Sequence, residues 1–456
     1  MENYFKLQEN GTDVRKEVIG GITTFLTMAY IIAVNANILG DPGVGMPAAA
    51  IVTVTCLTAG LTTIFMGLYA NLPFALASGM GLNAFFAYTV VIGLKVPWQV
   101  ALAAVFVEGI IFIILSVTNV REAVVKSIPV TLKFAVTAGI GLFIAFIGFI
   151  NAGIVVASPA TKVALGNFTK PTVLITIIGV IIIVVLSKKN VKGAILWGIA
   201  ASTIIAWIFA AISPDEAAKY MIGTPSGIFK YESIKDIAFK LDFSYLTDSA
   251  RIFEFITIML TFLFVDFFDT IGTLVGVAAK VGMIDDKGNV KNGGKALLVD
   301  AVGTTVGAVL GTSTVTTYVE SSAGVAEGAR TGLASVVTGI LFLVAMFFSP
   351  LFVAIPSCAT APALIVVGFF MMENIVNIDF TDFTEGVPAF LTIALMPLTY
   401  SIGDGLTMGI LSYAVLNLFN NIFTKDPAKK KKVSGVIYVL AVLFIIKLVV
   451  TGLKAA

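Results

Sequence analysis

From residue 18 almost to its end the chain alternates long apolar stretches with short polar ones. A helix needs about 20 apolar residues to cross the hydrocarbon core of a bilayer. On that measure fourteen segments are predicted: 18–39, 48–69, 74–91, 97–117, 130–151, 172–187, 192–212, 253–279, 295–311, 316–328, 331–354, 357–373, 386–401 and 403–422. A further apolar run, 433–452, carries Lys447 near one end and either spans or lies along the interface. Two segments are poor spans: 74–91, "FALASGMGLNAFFAYTVV", and 316–328. Glycine, serine and threonine interrupt both, and each is third in its group of seven.

Those matching interruptions suggest an internal repeat. "IPVTLKFAVTAGIGLFIAF" from Ile128 and "IPSCATAPALIVVGFFMM" from Ile355 share Ile-Pro, Gly141/Gly368 and Phe143/Phe370 in gapless register. Seven segments per half is odd, so the second copy runs upside down. Inverted repeats with interrupted segments at matching positions point to a binding site near the bilayer midplane. The fold class expected is therefore an all-α polytopic membrane protein, with segments 3 and 10 broken. Its parts are an N-terminus over 1–17, a first repeat over 18–212, a connection over 213–252, a second repeat over 253–422, and a basic linker with a last hydrophobic segment over 423–456.

Composition agrees. Of 456 residues 58% are hydrophobic and 12% charged, with a mean hydropathy of +1.01. Average soluble domains are about a quarter charged. The polar N-terminus "MENYFKLQENGTDVRKEV" has no short apolar core ahead of a small-residue cleavage site, so no signal peptide is expected. Cys56 and Cys358 both sit in apolar runs and read as small hydrophobes, not a disulfide framework. With the N-terminus inside, the inner loops hold Lys6, Arg15, Lys16, Arg121, Lys126, Lys188, Lys189, Lys192, Lys280, Lys287, Lys291, Lys295, Arg330, Lys425 and Lys429 to Lys432. Short outer loops carry little beyond Lys95, Lys162 and Lys170, as the positive-inside rule requires. "KDPAKKKK" reads equally as a lipid-facing hook or a solvated linker. Nothing in the pattern points to an enzyme, a metal, a resident cofactor or nucleic acid.

The candidate chemistry is carboxylate chemistry, because the chain has no histidine. A charge at the bilayer centre costs roughly 2.5–3.5 kcal/mol on insertion scales, so intramembrane acids default to function. Those acids are Glu108, Asp266, Asp269, Asp300 and Glu320, with Asp404 near a span end and Glu327 near a mouth. In "TFLFVDFFDTIGTLVGVAA" Asp266, Asp269, Gly272, Thr273 and Gly276 recur at three- and four-residue steps and form one small-sided polar stripe. The bland alternative is helix–helix glue, worth ~0.6 kcal/mol per polar contact. Two acids are costly glue. Glu320 follows "TSTVTTYV", whose β-branched residues favour extended backbone, tolerated at membrane depth only where it is buried or lines a cavity. Asn83 is its counterpart in segment 3. Acids, an amide and the aromatic residues Phe74, Phe85, Phe86 and Tyr318, without Lys or Arg, disfavour an inorganic anion. They suit a flat neutral heterocycle with N–H donors, or a cation such as Na⁺. The roles of Asp300 and Glu108 stay open, bonding to helix termini being one reading for the first and a place facing a moving surface one for the second.

"GITTFLTMAYIIAVNANIL", "NLPFALASGMGLNAFFAY", "FVDFFDTIGTL" and "KALLVDAVGTTVGAVLGTSTVTTYVESSAGVAEGARTGL" resemble the adenine/guanine/hypoxanthine permeases. These are the AzgA-like branch of the nucleobase–ascorbate transporter (nucleobase:cation symporter) superfamily, and the likeness runs from about Gly20 through the fourteenth segment. It implies a core (segments 1–4 and 8–11) moving against a gate (5–7 and 12–14), with short antiparallel strands in segments 3 and 10. It also implies proton-driven purine uptake across a bacterial-type plasma membrane by a homodimer, with no cofactor. Its substrate residues map onto Asn83, Asp269 and Glu320, and Thr317, Tyr318 and Phe85 lie beside them. Ser78 and Ala36 stand where relatives often have proline, and Ser322 where they often have alanine. Burial disfavours the charged form of a carboxylate, so Asp269, Glu320 or Asp266 is expected to carry the proton. Glu320 is favoured for substrate contact and Asp269 for coupling, though the two roles are interchangeable on this reading. The rivals are Na⁺-coupled uptake, an anion transporter of the same architecture, a membrane receptor, and, more weakly, an intramembrane aspartyl protease.

Overall fold

The computed structural model describes residues 2–118, 129–280, 290, 292–424 and 430–455, without side-chain surroundings at 3, 268, 271–272, 275–280, 374, 447 and 450–455. The loop charges Arg121, Lys126, Lys287, Lys291, Lys425 and Lys429 lie outside the described residues. So do the surroundings of Gly272, Gly276, Lys280 and Lys447, and the start of the repeat motif at Ile128.

Among the described residues nine helices are long and apolar enough to cross a membrane, and four shorter apolar ones accompany them. The first crossing is α1 (Val14–Met28), continued after a one-residue break at Ala29 by α2 (Tyr30–Leu39). Then come α3 (Ala48–Phe65), β1 (Leu76–Ser78), and α4 (Met80–Ala84), which widens into a π-helix over Phe85–Gly93. The first half ends with α5 (Trp98–Val117), α6 (Val130–Ala152), α7 (Pro171–Lys188) and α8 (Ala194–Ile212). The second half opens with α9 (Ile252–Lys280), α10 (Gly293–Leu310), β4 (Val315–Thr317) and α11 (Ser321–Ala326). It continues with α12 (Gly332–Ala345), α13 (Ser349–Val353), α14 (Ser357–Met372), α15 (Phe383–Leu398), α16 (Ile402–Phe423) and α17 (Gly435–Ala455).

Two departures from the expected spans have plain causes. The run 331–354 is two helices, because Pro350 suits the first turn of a new helix better than the interior of an old one. Between α6 and α7 an antiparallel hairpin, β2 (Val155–Ser158) with β3 (Lys162–Leu165), occupies what read as a loop. Four-residue strands give too little alternation to register in a hydropathy scan.

The broken spans form as their sequences dictate. Pro73 lacks the N–H a helix would use, and Asn71 is left-handed at φ 51, so the chain enters β1 extended. On the other side Gly311 ends α10 at φ 102, a left-handed cap that glycine adopts at no steric cost. Threonine and valine then carry β4. The strands pair antiparallel, Leu76 with Thr317, Ala77 with Thr316 and Ser78 with Val315. Tyr318 N–H to Ala75 O (2.9 Å) and Gly79 N–H to Thr314 O (3.0 Å) extend the ladder. Backbone polar groups at membrane depth are thereby satisfied.

Small residues seat this ribbon. A Cβ on Gly20 would lie 2.6 Å from Ala329 Cβ and 2.8 Å from Gly324 O, so α1 and α11 approach backbone to backbone. The buried carboxylate of Glu17 accepts from the N–H groups of Arg330 (2.7 Å), Thr331 (3.1 Å) and Ala334 (3.0 Å), capping α12.

The chain divides into two compact units, Met1–Ser116 with Ile144–Val366, and Val117–Phe143 with Val367–Ala456. The first holds both broken spans. In the second, α15 and α16 pack together, and Lys431 pairs with Asp382 (2.6 Å) and Glu385 (2.8 Å). Lys431 is thus engaged by protein, while its neighbours Lys430 and Lys432 are exposed.

Candidate functional site

Glu320 sits between β4 and α11. Tyr30, at the start of α2 and only 1% exposed, donates its hydroxyl to Glu320 Oε1 at 2.5 Å. The close seating of α11 on α1 at Gly20 and Gly324 brings these two residues together. Asp269, on α9, lies within electrostatic reach of Asp300 first and of Glu320 second, and the Tyr30 and Tyr318 hydroxyls interact with both Asp269 and Glu320. Tyr318 OH is held by Ser78 O at 2.5 Å. Asp269, Glu320, Tyr318 and Tyr30 therefore form one cluster drawn from three spans. Glu320 and Asp269 are both half-buried, so each keeps accessible surface deep in the protein.

A second, sealed cluster lies along β4. Thr270 Oγ1 is 3.2 Å from Asp266 Oδ1, 3.1 and 3.0 Å from the Asp300 oxygens, and 2.8 Å from Thr316 Oγ1. Thr316 also bonds Asp269, and Thr317 Oγ1 reaches Asp300 Oδ1 at 3.4 Å. Thr314 Oγ1 donates to Glu108 Oε2 at 3.0 Å. The hydroxyls of β4 and its approach thus face carboxylates from α5, α9 and α10. Asp300 lies in the interior of α10 and accepts from Thr270 and Thr317. Its position is dictated by hydroxyl partners that only the folded strand supplies.

Asn83 is placed behind the ribbon. It is fully buried, and its Oδ1 accepts from Ser78 Oγ (2.6 Å) and from Ser313 Oγ. Asn83 reaches the carboxylate cluster through Ser78, whose carbonyl anchors Tyr318. Phe85 packs edge-on against Phe262, with ring centroids 4.9 Å apart, and Phe74 belongs to the apolar core beneath β1. Asp266 and Thr317 belong to the sealed cluster, not to the accessible one. Asp404 lies in the first turn of α16, and Glu327 pairs with Lys192.

Charge balance decides what the site can hold. Among the described residues no lysine or arginine is buried, whereas Glu17, Glu108, Asp266 and Asp300 are. The half-buried pair is therefore met by tyrosine and threonine hydroxyls, not by cations. Such a site accepts hydrogen bonds and repels anions. Cavities of about 460 and 430 Å³ lie elsewhere in the first unit, one lined by Phe229, Tyr231 and Phe347 and the other by Asp41, Thr224 and Glu232. Neither is lined by Asp269 or Glu320.

Sequence reasoning missed Tyr30, Thr270 and the Ser78–Ser313 pair. Tyr30 had a signal: a lone tyrosine in "TMAYIIAV" must find a partner for its hydroxyl once buried. The serines had none, since small hydroxyl residues are ordinary in packed membrane helices.

Comparison with known proteins adds three findings. The sequence pattern of the permease family Xan_ur_permease matches residues 15–407. The chain is similar to the guanine/hypoxanthine permease PbuG of Bacillus subtilis (strain 168), 43% identical over 98% of this chain and 99% of that one. It is similar also to the adenine permease AdeP of Escherichia coli (strain K12), 40% identical over 98% and 96% respectively. In architecture it resembles the transmembrane domain of a cyanobacterial bicarbonate transporter, BicA, with a TM-score of 0.62, 14% identity, and coverage of 87% of this chain and 97% of that one. At such low identity the likeness shows a shared fold of core and gate domains and carries no substrate with it.

Proposed function

We propose, from the premise that this chain belongs to the Xan_ur_permease family of transporters, that it carries purine nucleobases across a membrane together with a proton. The observation that carries this reading is the meeting of Asp269 and Glu320, from different spans, with hydroxyls but no buried cation beside them. Relatives named for adenine and for guanine/hypoxanthine span nearly the whole chain and support the substrate class.

Glu320 and Asp269 accept from the ring and exocyclic N–H groups of the base, while Tyr30 holds one oxygen of Glu320 and leaves the other for the guest. With no histidine in the chain, the proton rides on one of these carboxylates. Base and proton enter together, because a neutral ensemble crosses the low-dielectric interior at less cost than a bare charge. The unit carrying the broken spans then presents the site to the other side, where loss of the proton weakens binding. The N-terminus faces the cytoplasm, as the loop charges require. Fold relatives include a bicarbonate transporter, but a site of acids without a basic residue opposes an anion.

The test is uptake of radiolabelled hypoxanthine, guanine and adenine by cells expressing the protein, under an inward acid gradient, with the gradient collapsed by a protonophore, and with Na⁺ replaced. Uptake that falls with the gradient and ignores Na⁺ supports proton symport. Uptake that ignores the gradient and requires Na⁺ overturns it.

A further inference from the structure

The cavity of about 430 Å³ in the first unit has a polar wall. The end of α2 and the loop after it supply Asn37 and Asp41, the 213–252 connection supplies Thr224 and Glu232, and the start of α13 supplies Ser349. Asn37 Nδ2 donates to Ile355 O (3.1 Å) and Thr360 Oγ1 (3.3 Å), which ties α2 to α14. Asp41 Oδ1 accepts from Gly43 N–H at 2.8 Å, and Glu232 pairs with Lys230 at 2.7 Å. Ser349 is 1% exposed, and its Oγ has no partner among the described residues. A buried hydroxyl in that state costs about 1–3 kcal/mol, a cost recovered when a guest supplies the partner.

Ligand sites commonly measure about 300–1,000 Å³, so this space suits a small organic molecule and is too large for a bare ion. Among the described residues no three of His, Cys, Asp and Glu gather to hold a metal. No lysine or arginine lines the cavity. Carboxylates only accept hydrogen bonds, and hydroxyls both donate and accept. The fitting guest is therefore a neutral molecule with N–H donors. Acids with hydroxyls and no basic wall also mark the deeper site around Glu320. One helix links the two. Tyr30 starts α2 and donates to Glu320, and Asn37 lies about 10 Å farther along the same helix at ~1.5 Å rise per residue.

We propose that this cavity is an outer loading site, in which Asp41 and Ser349 hold a nucleobase before it moves inward along α2 to Glu320 and Asp269. This rests on the nucleobase reading above and on the orientation given there, in which α1 and α2 cross outward from the cytoplasm. Asp41 accepts from a ring N–H of the base, and the Ser349 hydroxyl meets a ring nitrogen or carbonyl. Glu232, already paired with Lys230, completes the wall. A first stop with the chemistry of the last one admits heterocycles bearing N–H groups and turns anions away at the entrance.

The experiment is thiol protection on the purified full-length protein in lipid nanodiscs. Cys56 and Cys358 are buried, so in Thr224→Cys a hydrophilic maleimide reads the cavity wall. Hypoxanthine is expected to slow that labelling, and to go on slowing it when Glu320→Gln is added. Asp41→Asn should raise the half-protecting concentration about tenfold, the worth of a hydrogen bond to a charged group. Ser349→Ala should raise it about 3–10-fold without lowering the melting midpoint, since no bond within the protein is lost. Protection that disappears with Glu320→Gln, or that ignores both Asp41→Asn and Ser349→Ala, overturns the loading site and leaves the nucleobase reading intact. So does a lack of protection in a protein that still binds labelled guanine. A protein that binds no purine at all defeats the nucleobase reading, and the loading site with it.

Discussion

The two broken spans share a backbone solution and differ in chemistry. Each contributes a three-residue strand, paired residue for residue with the other, and each resumes a helix a few residues later. The first strand, Leu-Ala-Ser, is almost wholly apolar and serves packing, with its one hydroxyl spent on Asn83. The second, Val-Thr-Thr, spends hydroxyls on Asp269 and Asp300 from neighbouring helices and leads to Glu320, which keeps accessible surface. The break is therefore a frame, and function is loaded unequally on its halves. On the reading proposed above, the acids that keep accessible surface, Asp269 and Glu320, serve the guest, and the fully buried Asp266 and Asp300 serve the frame.

The comparison breaks most visibly at the accessible acids. Glu320→Gln and Asp269→Asn should each lower nucleobase uptake about 10–100-fold at equal membrane abundance, the worth of a hydrogen bond to a charged group. Melting should change little. For the sealed acids the order is reversed. Asp300→Ala takes an acceptor from both Thr270 and Thr317 and should cost about 1–3 kcal/mol of stability. That loss is visible as a lower melting midpoint before any uptake is measured. An Asp300→Ala protein that melts like wild type would put Asp300 on the guest's side.

Tyr30→Phe sharpens the division. It removes a single hydroxyl from Glu320 Oε1 and should weaken nucleobase binding about 3–10-fold, with the abundance of folded protein unchanged. The smallest effect is expected in the other unit. Lys431 holds the Asp382 carboxyl below the usual carboxylate range, helped by the Thr384 hydroxyl and N–H. A lowered folded value contributes stability above the unfolded value and loses it as pH falls through the folded one. Asp382→Asn should therefore lower the melting midpoint slightly at neutral pH, with the gap closing in acid and uptake of nucleobase unaltered.

Much of this was legible in the sequence. Apolar runs of membrane length placed most of the long helices within a few residues, because hydrophobic length is a strict requirement of the bilayer. The two interruptions were visible as glycine and hydroxyl residues where a helix should have been. Buried acids without histidine, lysine or arginine nearby drew notice to Asp269 and Glu320. What could not be read was how the acids divide. Asp266 and Asp269 are three residues apart on one helix, yet one is sealed on Thr270 and the other keeps accessible surface. That split depends on where β4 lies across α9, a contact between residues 46 apart in sequence at Thr270 and Thr316. For the same reason Tyr30, 290 residues from Glu320, looked like any aromatic residue in a membrane helix.

The central claim is that Asp269 and Glu320 hold one guest between them. Equilibrium binding of labelled guanine to purified wild type, Asp269→Asn, Glu320→Gln and the double variant, in the same lipid nanodiscs, addresses it directly. The account predicts saturable binding by wild type, a loss of about tenfold or more in each single variant, and a double variant scarcely worse than the weaker single one, as residues sharing a ligand couple. Wild-type affinity in either single variant, or losses that simply add in the double, would contradict it.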